Sequence, residues 1–282
     1  MYPVQPRKVQ IDYAQEPQAV WFMDSAVKSH LLNGYSVIFP AMEDYMGARL
    51  KEGAALLDDS WLKQQAVGFA SQEATHRAQH LACLEILRRD GYRVDGLLWL
   101  LDRATFRVIQ PLALRVAEPL FGPTLKLSIV AGSEHWTSAV SRRMLTLDDG
   151  MDADTPMKRL FYWHGAEELE HSAVAFDVFE AAGGGYPMRI LGFLMGTPVF
   201  IAWSLLAVAV LLAQTPGRRI WRWGTVRELV ELLFTREAFV LLLIRQFLGY
   251  LRPGFHPHQQ DNLPLIARGL AAVDLRPRLE VP

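Results

Sequence analysis

Trp163-His164-Gly-Ala-Glu167-Glu168-Leu-Glu170-His171 is the stretch that decides how the rest of the chain is read. At about 100° per residue on a helix, Glu168 lies about 40° and His171 about −20° from His164, so the three share one stripe. Glu167 is the rival acid, but no histidine follows it at i+3. Thr155 and Pro156 open this helix as cap and first residue, and Gly183-Gly184-Gly185 stops it.

The same pairing recurs upstream as Glu73-Ala-Thr-His76. Each pair follows a lone acid set in an apolar run: Glu43 stands 30 residues before Glu73, and Glu134 stands 34 before Glu168. Those separations suit a helix, a loop and an antiparallel helix. The repeated unit Glu … Glu-x-x-His then brings four acids to the inside of a bundle. That is the donor pattern of a ferritin-like, carboxylate-bridged dinuclear centre. Four core-facing glutamates would be costly to bury without cations to neutralise them. The candidate ligands are therefore Glu43, Glu73, His76, Glu134, Glu168 and His171, with His164 as a third imidazole. A solvated face is the plain alternative for any one of these acids.

The remaining histidines are weaker. His80 follows His76 by one turn and reads as support behind the site. His135 projects about 100° from Glu134. His256 and His258 sit in a proline-bearing tail that reads as irregular, and nothing recommends His30. Cys83 reads as a small core residue.

Around this site the chain reads as helix after helix, without alternating β patterns. A first helical region runs from Ala19 to Leu57, with interruptions near Asn33-Gly34 and Pro40. A second runs from Ser60, as cap, to Arg89. A third spans Leu97 to Glu118 and contains Pro111. A fourth covers Thr124 to Leu147 and ends at Asp148-Asp149-Gly150. The fold class is all-α: residues 1–20 form an extended lead-in, 21–182 a ferritin-like metal bundle, and 183–282 apolar helices with the irregular tail.

Charge narrows the function classes. With 29 Lys+Arg against 30 Asp+Glu the net is −1, which excludes a broadly basic nucleic-acid surface. The single cysteine excludes a disulfide framework and a cysteine-based zinc or iron–sulfur site. Met1 to Gln18 carries no early apolar run, so a cytoplasmic location, or the cytoplasmic face of a membrane, is expected.

Ile190 to Ala213 is an uncharged run of 24 residues, about 36 Å as a helix and long enough to cross a bilayer. Arg218, Arg219, Arg222 and Arg227 follow, then the amphipathic stretch Leu229–Leu251 with Arg245 inside it. One crossing cannot keep both the bundle and these arginines inside. Burial against the bundle or a partner is the leading reading, ahead of a span and of peripheral attachment.

Several of these stretches carry a family resemblance. Phe39-Pro40 … Glu43, Gln72-Glu73-Ala-Thr-His76-Arg-Ala-Gln-His80, Glu134-His135-Trp136-Thr137 and Trp163 through Val178 resemble the bacterial family labelled "predicted metal-dependent hydrolase". The likeness extends to the tail Phe255-His256-Pro257. The ligand order alone is similar to p-aminobenzoate N-oxygenases, ferritin-like di-iron enzymes. That second resemblance implies an O2-activating site with an extra histidine at His164.

The expectation drawn from these readings is a non-haem di-iron oxidase or oxygenase. It would hold two iron ions, with manganese or a mixed pair as alternatives. Its partners would be O2, a small apolar substrate and an external electron donor. No nucleic acid is expected, while a membrane surface and a second copy of the chain remain candidates. A dinuclear hydrolase using a bridging hydroxide is the alternative, and iron storage or sensing ranks last.

Overall fold

The chain is described by a computed structural model over residues 4–14, 19–147, 152–216, 222–234 and 239–275. Helix α1 (Ala26–Ala55) is capped by Ser25, whose Oγ accepts from the Lys28 amide at 3.2 Å. It runs unbroken through both expected interruptions. Asn33 spends its side chain on the lead-in, donating to Ala19 O at 2.8 Å and accepting from Trp21 Nε1 at 2.9 Å. Gly34 is a contact point: a Cβ there would lie 3.1 Å from Ala207 Cβ. Pro40 removes one backbone bond, and burial along both flanks carries the helix past it.

Helix α2 (Ser60–Arg89) is capped by Asp59, which accepts from the Leu62 amide at 2.9 Å, so the expected cap at Ser60 is one residue late. The link to the second half of the bundle is helical throughout. It comprises α3 (Asp95–Trp99), a π-helical stretch (Leu100–Ile109) and α4 (Gln110–Phe121). Pro111 opens α4 without breaking it. Helix α5 (Thr124–Leu147) has the expected start, while its expected stop at residues 148–150 lies outside the described residues.

The motif helix is split, where the sequence reads as one. Thr155 caps α6 (Pro156–His171), and α7 (Val174–Ala181) follows after a turn at Ser172, whose Oγ donates to Leu169 O at 3.2 Å. Helices α1 and α2 form one hairpin and α5 with α6 and α7 the other, and the two pack face to face into a bundle. Trp136, Trp163, Tyr162, Phe69 and Phe176 fill its core. Among the described residues there is no strand.

Helix α8 (Tyr186–Gln214) holds the long apolar run. One face of it packs on α5 and then on α1. At Gly192 a Cβ would fall 1.7 Å from Ser128 Oγ, Trp136 Nε1 donates to Thr197 Oγ1 at 2.8 Å, and Phe200 stacks on Tyr35. Its opposite face is uncovered, and only 28% of its most apolar stretch is buried. Among the described residues the second apolar stretch contributes helices α9 (Trp223–Phe234) and α10 (Phe239–Tyr250). Arg218 and Arg219 lie outside the described residues. The tail is not irregular throughout: α11 (Leu263–Ala271) docks on α6, with Gly269 so close that a Cβ would lie 2.9 Å from Tyr162 O.

Candidate metal centre

The i, i+3 and i, i+4 spacings put the acids and imidazoles on inward stripes, and the two hairpins bring those stripes together. Glu73, His76, Glu168 and His171 each offer one donor atom within 4.8 Å of the others. Glu43, His80 and His164 form a second such group. All seven residues are buried. Glu168 joins the groups: its Oε1 is 2.9 Å from His164 Nε2 and 3.7 Å from both His76 Nδ1 and His171 Nε2. Glu43 Oε1 is 3.6 Å from His164 Nε2.

The donor sets can be tested by asking which atoms lack a partner. Both carboxylate oxygens of Glu43 and of Glu73, Oε1 of Glu134, Oε2 of Glu168, Nδ1 of His76 and Nε2 of His171 are buried and make no hydrogen bond. Unpaired buried polar atoms are expensive, and here they converge on one region. Divalent cations would satisfy them, so the residues present fit a pair of ions.

Charge states follow from burial and neighbours. Burial, with Glu168 next in size, raises the Glu43 and Glu73 carboxyls well above the usual range. Burial also raises Glu134, to about 7, although His171 opposes the shift. Burial opposes a charge on His171, but Glu134 and Glu168 outweigh it and push the ring up to about 9. Glu168 goes the other way, because His171 and His164 overcome its burial. Burial and then His164 lower His76.

Two residues stand apart from the sequence reading in the donor geometry. Glu134 is in neither donor group: its Oε2 lies 3.0 Å from His171 Nδ1, while its Oε1 is buried without a partner beside them. His80, read as support, stands inside the second group, 2.8 Å from His164 Nδ1 and 3.7 Å from Glu43 Oε1. The signal for His80 was present, since it shares the His76 stripe. A layer behind the donors carried no such signal. Glu167 accepts from His76 Nε2 at 3.1 Å, and Arg7 of the lead-in meets Glu167 at 3.1 Å and both oxygens of Glu170 at 2.6 Å. The other histidines are structural: His30 bonds Thr215, His135 bonds Gln246 O, and His256 bonds Asp177.

The family model described as "Predicted metal-dependent hydrolase" matches residues 5–261, so the chain belongs to that family. No curated protein and no solved structure matches it.

Proposed function

We propose that the protein is a dinuclear metal enzyme and that its reaction is hydrolysis. The observation that carries this is the meeting of two buried His/Glu groups at Glu168, in a chain whose family is described as metal-dependent hydrolases. Glu73, His76, Glu168 and His171 would hold one ion, and Glu43, His80 and His164 the other. Bound divalent ions would supply Lewis acidity and an activated water at neutral pH. Glu134 stands beside the first group without belonging to it, and its carboxyl is pushed up to about 7. It is the residue available to take a proton from water and return it to a leaving group. Glu167 and Arg7 hold His76 in orientation, and the apolar packing around the donors excludes bulk water.

A second reading, O2 activation by a ferritin-like di-iron centre, is favoured by the hard oxygen and nitrogen donor set. In that reading Glu134 completes the ligand set. The test is to load metal-free protein with redox-inert Zn(II), or with Fe(II) under anaerobic conditions. The Zn(II) form is assayed on p-nitrophenyl esters and phosphoesters, and the Fe(II) form for O2 consumption. Ester or phosphoester cleavage by the Zn(II) form, lost in Glu134→Gln with metal content unchanged, supports hydrolysis. O2 consumption without hydrolysis, and loss of metal in Glu134→Gln, would replace it with the second reading.

A further inference from the structure

An uncovered apolar surface lies where the connecting helices come beside α8. Trp99, Ile109, Leu112, Val116, Leu120 and Phe121 are exposed on one side, and Leu194, Val199, Leu205 and Leu206 on the other. The two sides meet at one cluster, in which Leu114 and Ala117 of α4 lie with Leu125 and Ile129 of α5, and Leu191 and Met195 of α8 pack against it. Arg103 and Arg115 are exposed along the same helical link, where Arg107 pairs with Asp102 at 2.9 Å. A stripe of Trp, Phe and Leu interleaved with arginine is the composition of an interfacial helix.

A cavity of about 160 Å³ opens in this surface, between α1, the π-helical stretch, α4, α5 and α8. Ile109, Ala113 and Val199 line it and are also exposed, so they form its mouth. Its inner wall includes Met42 and Ser133, each one residue before a site acid, Glu43 and Glu134. Its walls are mainly apolar side chains, and a cavity of roughly 150 Å³ takes a benzene-sized apolar group. A short run of hydrocarbon chain fits the same space.

We propose that this face docks on an anionic membrane surface and that the cavity receives part of a hydrocarbon chain from a lipid-phase substrate. A protein partner on the same face would cover the cavity mouth, whereas a bilayer covers the apolar side chains and supplies a ligand to the mouth. Arg103 and Arg115, both exposed, match anionic headgroups. Docking stands on the surface alone; the role of the chain as substrate rests on the metal-enzyme reading.

The test is flotation of the full chain with phosphatidylcholine vesicles carrying about 30% phosphatidylglycerol. Wild type should float equally with and without bound metal, which separates this surface from the metal reading. The double variant Leu112→Glu/Val116→Glu, at exposed positions, should keep its melting temperature and metal content and lose vesicle affinity by about tenfold or more. The cavity is probed with the fluorescent fatty acid 11-(dansylamino)undecanoic acid. Ala113→Trp should weaken its binding by about tenfold and leave flotation unchanged. Wild type that stays in the aqueous layer, floats only when metal is bound, or floats no better than the double variant overturns docking. A dimer that the double variant splits, with no vesicle binding, assigns the face to self-association and overturns it too. Equal probe binding by Ala113→Trp overturns the cavity assignment.

Discussion

His76 Nε2 lies 3.1 Å from Glu167 Oε2, while His76 Nδ1 faces Glu168 Oε1 at 3.7 Å and makes no hydrogen bond. A carboxylate behind an imidazole fixes the tautomer and turns the other nitrogen toward a cation. Arg7 anchors that carboxylate at 3.1 Å. Glu167→Ala should therefore lower metal affinity by about 10–100-fold, read by competition against a chelating dye. Unchanged affinity would leave His76 outside the metal-holding set.

The acids of the first donor group should behave differently from the acid that pairs with Arg7. Glu73→Ala and Glu168→Ala each remove a donor atom of the first group, and each should lose at least one ion by elemental analysis. Glu170 instead pairs with Arg7 and accepts from Gln72 Nε2 at 3.3 Å. Glu170→Ala should keep its metal and lose about 1–3 kcal/mol of stability, measured by urea unfolding of the apo forms. Equal metal content in the three variants would dismantle the donor assignment.

His80 and His164 should act together, since their facing nitrogens are 2.8 Å apart. His80→Ala and His164→Ala should each weaken the second ion and spare the first, giving a biphasic metal titration. A single phase like that of wild type would return both rings to the core.

Metal uptake should release protons. Burial keeps Glu43 and Glu73 protonated above the usual carboxylate range, and Glu134 and Glu168 hold His171 protonated up to about 9. A cation binds the deprotonated forms, so it displaces the His171 proton near pH 7 and its affinity falls as pH falls. Calorimetry in buffers of different ionisation enthalpy reads this directly, and heats independent of buffer would contradict it.

Helix identity and the donor stripes were legible because both depend on local spacing. Ser60–Arg89 ends where its punctuation indicates, and Thr124 begins α5 just after Gly122-Pro123. What escaped depends on partners distant in sequence. Gly34 reads as a helix breaker until Ala207 is seen against it, and the tail reads as irregular until Gly269 is seen against Tyr162. Arg7 sits 160 residues from Glu167, with no periodicity to connect them. That Glu134 would also meet His171 through one oxygen, leaving the other without a partner, shows only once the two helices are packed.

The central claim is a pair of ions in one chain. Equilibrium dialysis of metal-free protein against Mn(II), followed by elemental analysis, measures it directly. The account predicts about two ions per chain in wild type and about one in Glu43→Ala, which strips a donor from the second group alone. A wild-type plateau at one ion or none, or an undiminished plateau in Glu43→Ala, would contradict it.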